Sequence, residues 1–359
     1  MEQVTRAGTI VVAGAGAIGS TLAFMLARAG RQVILVDSVP PGANASGIAA
    51  GMLAPAFESL FDADPADRFA LLASARDAWQ ALAAAIGLPL ARDGSMAVGS
   101  EAEVAGWSVG LERLGAQRRI LSSVEVARLA PAVRGGLCAV FSPEDWRLDA
   151  VAALAALHRA AETEGVRLAA ARLTGFDGER AHLNGAAAIP ADLIVLATGA
   201  ARELAGVAPE LAALRPVKGH ILRAAAAWPA GPVIRAPGIY LCAGSGGAIL
   251  GASMEAGLAD TRIDEAVVRA LVARAERIVP GVGRLCWRAA AGVRAATGDG
   301  LPMAGVSSSP GVLLAVGARR NGWLLAPVIA QVVLELLDGA PASPLARLFA
   351  PSRPGVWSC

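Results

Sequence analysis

Arg294 is the residue whose type and surroundings most strongly suggest chemistry. It lies in a segment of small and apolar residues, AAAGVRAATGDGLPMAG. A buried guanidinium needs an anionic partner, because removing a charge from water without pairing it is costly. Its planar fork fits a carboxylate through two parallel hydrogen bonds. The anion would come either from a ligand or from an acidic residue such as Asp299.

Arg320 and Tyr240 are two further candidates. Arg320, Asn321 and Gly322 are expected to begin the last helix, whose positive dipole end stabilises negative charge on a ligand. The alternative is a solvated arginine beside Arg319. Tyr240 is the only tyrosine in the chain, and its role stays open, since a packed tyrosine with a satisfied hydroxyl fits the same position.

A glycine pattern near the start of the chain lies in TIVVAGAGAIGSTLAFMLARAG. Gly14, Gly16 and Gly19 form G-x-G-x-x-G between an apolar strand and a helix. The three glycines permit, in order, a tight turn, the approach of a pyrophosphate and close helix packing. Asp37 ends the next strand, where a ribose-binding acid is expected. The pattern predicts an ADP-ribose site and does not separate NAD from FAD. The alternative is a turn without a ligand.

Composition narrows the class of protein. The chain has 359 residues, is 55% hydrophobic and carries a net charge of +2, so a large core and two domains are expected and nucleic acid is not. The mean hydropathy of +0.52 comes largely from alanine. We expect no transmembrane segment. The predicted first strand begins within ten residues of the start, so we also expect no signal peptide.

Cysteines and histidines give no sign of a metal site. The cysteines are widely spaced, which argues against structural zinc and disulfides and favours a reducing cytoplasm; they are Cys138, Cys242, Cys286 and Cys359. The histidines, at positions 158, 182 and 220, are not expected to cluster with acids. We therefore predict neither a metal site nor a Ser–His–Asp triad.

The order of predicted elements indicates an interrupted nucleotide fold. The first strand and helix are followed by the broken segment 39–55, and then by a helix that Asp64 would cap and that extends to Ile86. Residues 101–130 are predicted as helices, 131–146 as turns and 151–164 as a helix capped by Asp149. A buried strand ends near Thr198, and short alternating strands from Arg215 indicate an antiparallel sheet. The last strand and helix, 312–316 and 323–337, would complete the first fold.

Four segments beyond the glycine pattern carry a resemblance to a known family. They are ASGIAAGMLAP (45–55), RPVKGH (215–220), GVRAATGDGLPMAG (292–305) and GARRNGWLLAP (317–327). With these segments in this order, the chain resembles the FAD-dependent D-amino-acid oxidase superfamily. It is most similar to the glycine oxidase branch associated with thiamine biosynthesis.

The resemblance implies an α/β fold in which a Rossmann-like FAD-binding domain is interleaved with an α+β substrate domain built on an antiparallel sheet. The predicted FAD domain comprises 1–83, 144–213 and 290–359, and the substrate domain 84–143 and 214–289. The residues expected to carry catalysis are Arg294, Tyr240, Arg320 and Met52. Those expected at the cofactor are Gly14, Gly16, Ala17, Ile18, Gly19, Asp37, Ser46, Ala50, Gly51, Met52, Leu173, Gly199, Gly292, Gly317, Arg320, Asn321, Gly322 and Trp323.

The activity implied by the resemblance is oxidative deamination of glycine or a small D- or secondary amino acid. Arg294 would hold the substrate carboxylate while a hydride passes to flavin N5, giving an imine that hydrolyses to a 2-oxo acid. The electron acceptor would be O₂ or another oxidant, and a homo-oligomer is expected. FAD is predicted to be non-covalent, since no cysteine lies in the linkage motif of related sarcosine oxidases.

Several family residues are absent. Ala318 replaces a histidine, Ala295 a proline, and Ala243 and Gly244 a Pro-Arg pair, which leaves substrate identity open. Two alternatives therefore stay open. One is a D-amino-acid dehydrogenase that uses a quinone-type acceptor, and the other is an FAD-binding module without oxidase activity.

Overall fold

A computed structural model describes residues 8–62 and 65–357. Its strands are β1 (Thr9–Ala13), β2 (Gln32–Val36), β3 (Met52–Leu53), β4 (Ser95–Gly99), β5 (Arg119–Leu121), β6 (Cys138–Ser142), β7 (Trp146–Arg147), β8 (Arg167–Ala169), β9 (Leu173–Phe176), β10 (Arg180–Leu183), β11 (Ala186–Pro190), β12 (Leu193–Leu196), β13 (Arg215–Ala224), β14 (Val233–Ala236), β15 (Ile239–Gly244), β16 (Gly247–Gly251), β17 (Glu255–Ala256), β18 (Arg288–Ala296), β19 (Met303–Val306) and β20 (Val312–Val316).

The α-helices of the same residues range from one turn to five or more. They are α1 (Ala17–Arg28), α2 (Ala45–Ile48), α3 (Pro55–Asp62), α4 (Ala66–Ala85), α5 (Glu101–Leu114), α6 (Ser123–Leu129), α7 (Ala150–Thr163), α8 (Glu265–Ile278), α9 (Gly322–Leu337) and α10 (Pro344–Leu348). No helix within the described ranges is long and apolar enough to span a membrane.

A six-stranded sheet carries the glycine turn. Its order is β19-β20-β12-β1-β2-β8, parallel throughout except for β19. Both faces are buried, as the continuous apolar strands require. Ile10 and Val12 pack with residues of α1, α4, α7 and α9, whereas Val11 and Ala13 pack towards the small antiparallel sheet β11-β10-β9. The carboxyl ends of β1 and β2 therefore open towards the start of α1, where α/β folds bind their ligands.

The second large sheet is mainly antiparallel. Its order is β17-β13-β16-β15-β14-β4-β6-β5, and β18 pairs with β13 along nine residues. The pair β14–β4 is parallel. One face packs against α8, and residues of α3, α4 and α5 cover part of the sheet near β4 and β6. The predicted α/β class, with one parallel and one antiparallel sheet, is confirmed.

Local predictions were right where caps and periodicity were strong. Asp149 caps α7, as predicted, by accepting the Ala152 N–H at 2.9 Å. They were wrong where a short strand depends on a distant partner: β5 interrupts 101–130, β6 lies in the segment predicted as turns, and β9 to β11 form a sheet of their own. A cap at Asp64 lies outside the described residues, as does Cys359, and the helix begins at Ala66.

The strand that carries Arg294 belongs to the antiparallel sheet by its pairing. Arg294 lies opposite Val217 of β13, although the predicted boundary places 290 onward in the FAD domain. The chain therefore passes between the two sheets several times. The domain boundaries themselves stay a prediction.

Candidate functional site

A cavity of about 530 Å³ extends from the glycine turn after β1 to Arg294 on β18. Both sheets contribute to its walls. The sequence-predicted residues that line it are Gly14, Gly16, Ala17, Ile18, Asp37, Ser46, Leu173, Gly199, Arg294, Gly317, Arg320, Gly322 and Trp323. The fold thus brings residues separated by more than 300 positions to one continuous space.

The glycine turn has little room for side chains. Gly14 has φ +105°, a region that L side chains rarely adopt. A Cβ on Gly14 would collide with the carbonyl of Ala197, and one on Gly19 with the carbonyl of Gly14. Gly16 is the N-cap of α1 and provides no side chain to that helix end. Backbone N–H groups are consequently the donors that this end offers to an anion.

Polar side chains brace the turn from two directions. Asp37 accepts the Ala15 N–H at 2.7 Å and the Val39 N–H at 2.8 Å. The Ser46 hydroxyl accepts the Ala17 N–H at 2.9 Å, so it lies at the start of α1. Sequence reasoning missed Asn44, which caps α2 and donates to the Ala15 carbonyl at 3.3 Å. The segment after β2 is therefore attached to the glycine turn.

The start of α9 forms another part of the wall. Asn321 is its N-cap, and Gly317, with φ +82°, precedes it in the turn after β20. The Trp323 indole N–H donates to the Ser46 carbonyl at 3.0 Å, and Trp79 donates to the Trp323 carbonyl at 2.7 Å. The helix start is thus tied to the same segment that reaches the glycine turn.

Seven predicted residues lie outside the cavity wall. Gly19 is buried in α1, Asn321 caps α9, and Gly292 lies against Ala45 of α2. Ala50 and Gly51 follow α2, with φ +74° at Gly51. The remaining two, Met52 and Tyr240, pack in one apolar cluster with the buried Cys242.

Arg294 has no carboxylate partner within the described ranges. Its Nη1 donates to the Ser253 carbonyl at 3.2 Å and to the Met254 sulfur at 3.3 Å. Burial lowers the pKa of Arg294, and the negative charge of Glu58 opposes that change. The alternative pairing with Asp299 is wrong, because Asp299 is paired with Arg353 at 2.7 Å.

Arg320 is bound to acids, and the alternative of a solvated arginine is wrong. Its Nη2 lies 2.7 Å from Asp62, and its Nε pairs with Glu58. Arg319, with φ +50°, also pairs with Asp62, at 2.6 Å. Sequence reasoning missed both acids. Their spacing of four residues in α3 was the available signal, since such residues share a helix face.

A second buried arginine was also missed. Arg235 of β14 is 4% exposed and donates to Glu58 at 2.9 Å. Burial raises the pKa of Glu58, but Arg320 and Arg235 outweigh burial and hold it below its ordinary value. Asp145, 1% exposed, accepts the Ala56 N–H at 2.8 Å, and burial raises its pKa to about 6. Acids and arginines thus form one buried charge cluster beside the cavity.

Tyr240 lies opposite Arg235 in the sheet and against Gly251. Burial raises the pKa of its hydroxyl, while Arg294 opposes the change. Burial also raises the pKa of the Cys242 thiol to about 11, which keeps it protonated at neutral pH. No cysteine lines the cavity in the part of the chain that the structure describes.

The expectation that histidines stay apart from acids is wrong at two positions. His182 lies 2.7 Å from Asp177, and His220 lies 2.9 Å from Glu255. His158 instead contacts the Ser20 hydroxyl at 2.9 Å. Across residues 8–62 and 65–357, no group of three or more histidine, cysteine or acidic residues could hold a metal ion.

The two ends of the cavity offer different chemistry. The end near β1 has the N-terminus of α1, Gly16, whose lack of a Cβ leaves room for a ligand, and the carboxylate of Asp37. These features suit pyrophosphate and ribose. The other offers a guanidinium and apolar walls, which suit a small anionic substrate.

Comparison with known proteins supports a dinucleotide-binding fold. A family model described as "FAD dependent oxidoreductase" matches residues 9–336. A glycine oxidase of Geobacillus kaustophilus (strain HTA426) is 28% identical over an alignment of 363 positions, gaps included, which covers 93% of this chain and 94% of that protein. The crystal structure of glycine oxidase from Geobacillus kaustophilus has a TM-score of 0.83 at 26% identity, over 97% and 99% of the two chains. Iminodiacetate oxidase from Chelativorans sp. BNC1 also has a TM-score of 0.83, at 25% identity over 96% and 98%.

Proposed function

This chain belongs to the FAD-dependent oxidoreductase family, and we propose that it oxidises glycine or a small D- or secondary amino acid. The carbon–nitrogen bond of the substrate would become an imine, which water hydrolyses to a 2-oxo acid and an amine or ammonia. FAD, when bound, supplies the acceptor for the hydride. Relatives named glycine oxidase and iminodiacetate oxidase support this substrate class.

The observation that carries the proposal is the pairing pattern of the arginines. Arg320 and Arg235 share Glu58, Arg319 takes Asp62, and Arg353 takes Asp299. Among the described residues, Arg294 alone of these lies at the cavity with only a carbonyl and a sulfur as acceptors. Its remaining N–H groups are oriented by the protein without being neutralised, which suits a substrate carboxylate.

The residues around Arg294 have supporting roles in this proposal. Tyr240 lies outside the cavity wall, and it would support Arg294 from that position without contacting the carboxylate. Arg320, which the family resemblance implied as a substrate contact, instead shapes the wall and is neutralised by Glu58 and Asp62. Met52 packs beside Tyr240 outside the cavity wall and supports that side chain there. Asp37 and the glycine turn hold the far end of the cofactor.

Proton abstraction by the protein is not required in this proposal. The acids that line the cavity are Glu203 and Asp37, which is bonded to the glycine turn, and no histidine lines it within the described ranges. A substrate that binds with a neutral amine needs no further base. Catalysis would then depend on orientation and on exclusion of water.

The test is anaerobic bleaching of the bound flavin by glycine, sarcosine and a set of D-amino acids. We expect Arg294→Ala to weaken the response to carboxylate substrates by ~2–5 kcal/mol, the range for removing one partner of a buried charge pair. Arg294→Lys should recover part of it, since a point charge replaces a fork. Arg119→Ala, on the exposed side of β5, is the matched control and should behave as wild type.

The same measurement separates the competing functions. Peroxide release on reoxidation by air supports an oxidase, whereas turnover only with a quinone supports a dehydrogenase. A wild-type flavin that no amine or amino acid bleaches would contradict the proposal and favour a binding module.

A further inference from the structure

His220 belongs to β13, the strand that pairs with β18 and its Arg294, and its side chain lies on the opposite face of the sheet from Arg294. A Cβ at Gly219 would meet the Arg294 guanidinium, so Gly219 points towards that side chain. Successive residues of a strand point to opposite faces, and His220 accordingly lies at the N-terminus of α8 on the other face. Its side chain is fully buried. The proposed reaction does not use it.

Both ring nitrogens of His220 have partners. Nε2 accepts the backbone N–H of Asp264 at 3.0 Å, so this nitrogen carries no proton. Nδ1 therefore carries the proton of the neutral ring and donates to Glu255 Oε1 at 2.9 Å. The imidazole thus connects the start of α8 to the segment that precedes and includes β17.

Glu255 is in turn hydrogen-bonded to Ser253. The Ser253 hydroxyl donates to Glu255 Oε1 at 2.5 Å and accepts the backbone N–H of His220 at 2.8 Å. The carbonyl of the same serine accepts a hydrogen bond from Arg294 Nη1 at 3.2 Å. Met254, the next residue, provides the second contact of that nitrogen through its sulfur. The acceptors that orient Arg294 are therefore held by His220 Nδ1, which contacts Glu255 at 2.9 Å and the Ser253 hydroxyl at 3.1 Å.

We infer that His220 is a positioning residue for Arg294. It acts through Glu255 and Ser253, and it sets the direction in which the guanidinium presents its remaining N–H groups to a carboxylate. The inference rests on the proposed role of Arg294 in binding carboxylates. It does not require that the protein oxidise amines.

Two conservative variants separate positioning from simple support of the fold. His220→Asn keeps a donor near the Nδ1 position and loses the acceptor for Asp264, whereas His220→Gln keeps an acceptor near the Nε2 position and loses the donor to Glu255. If His220 acts through Glu255, the Asn variant should retain carboxylate affinity and the Gln variant should lose it. A residue that only supports the fold would show the same loss in both, or a loss that follows the melting temperature.

Acetate is the binding probe. Its affinity for the FAD-loaded protein is measured from the change that it causes in the flavin absorbance. We expect His220→Ala and His220→Gln to weaken acetate binding by about tenfold, below the roughly hundredfold loss that a misplacement of a full ångström can cause. With an amino-acid substrate, KM should rise by a similar factor while kcat changes little, as expected for lost binding in both ground and transition states. His182→Ala, in the separate β9–β11 sheet, is the control.

A double-mutant cycle is a second test of whether His220 acts through Glu255. His220→Ala and Glu255→Ala should have strongly non-additive effects on acetate affinity, because they interrupt one connection. Unchanged acetate affinity in His220→Gln, or additive effects in the cycle, would overturn the inference. Because acetate needs no turnover, a wild type that binds acetate but oxidises no amino acid contradicts the proposed function only.

Discussion

The two ends of the cavity are built in different ways. The end near β1 is made of backbone, with Gly14, Gly16 and the first turn of α1 supplied by one short stretch of chain. The end near Arg294 depends on side chains: Arg294 of β18 and Arg320 line the cavity, and Glu58 of α3 and Arg235 of β14 lie beside it. Backbone N–H groups bring a fixed dipole with no net charge, whereas arginines bring full charges.

That difference determines what each end needs for stability. Partial charges at a helix N-terminus are satisfied by ligand or by short polar contacts such as Ala17 to Ser46. Buried guanidinium groups need counter-ions, and Glu58 and Asp62 serve two arginines each. The Arg294 end is consequently the one where removal of a single acid should matter most.

Of the variants that test this difference between the two ends, Glu58→Ala should cause the largest loss of stability. It leaves Arg235 and Arg320 without their shared carboxylate, and we expect a loss of ~3–5 kcal/mol in the free energy of unfolding. Chemical denaturation of the FAD-free protein measures it. Glu112→Ala, which breaks an exposed pair with Arg118, should cost about 1 kcal/mol or less. Equal losses in the two variants would show that the cluster behaves as surface charge.

The next largest effect should be a pH dependence of the free energy of unfolding, caused by Asp145. Its pKa in the folded state is about 6, above the ordinary value of 3.8, so the folded protein binds the proton more tightly than the unfolded chain. Stability is therefore greater at low pH and falls as pH rises from about 4 to 6, by ~2–3 kcal/mol in total.

The measurement compares melting temperatures of wild type and Asp145→Asn between pH 4 and 7. Asparagine has no proton to lose, so the wild type should lose stability relative to the variant as pH rises. Parallel curves across this range would contradict a titrating Asp145.

Gly16→Val should have the smallest effect on the stability of the fold, and its main effect should be on FAD affinity. A Cβ here lies 2.9 Å from the Ser46 hydroxyl, and both residues line the cavity, so we expect FAD affinity to fall by about 1–3 kcal/mol, typical of overpacking. Equilibrium dialysis of FAD against the FAD-free protein measures it. Gly106→Ala, in α5 with open space around the added methyl, is the control. A variant that binds FAD as wild type does would show that Gly16 is not close to the cofactor.

Local sequence predicted the backbone end better than the side-chain end. The positive φ of Gly14 and the bond from Ala15 to Asp37 follow from a pattern within about thirty residues. Glu58 and Arg235 are 177 positions apart, and neither has a neighbour in sequence that indicates the other. Burial and pairing over that separation depend on how β14 packs near α3. The same reason explains the missed contact of His220 with Glu255, which needs β17 to pair with β13.

The sequence by itself determined the parallel nucleotide fold, the antiparallel second sheet and the requirement of Arg294 for an anion. These follow from periodicity, glycine geometry and the cost of burying a charge, all of which act locally. Only the tertiary structure decided which acid serves which arginine. Asp299 follows Arg294 by five residues but pairs with Arg353, whereas Glu58 pairs with Arg320, which lies far from it in sequence. Ion pairs form between side chains that packing brings within reach, and packing brings together residues that the sequence keeps apart.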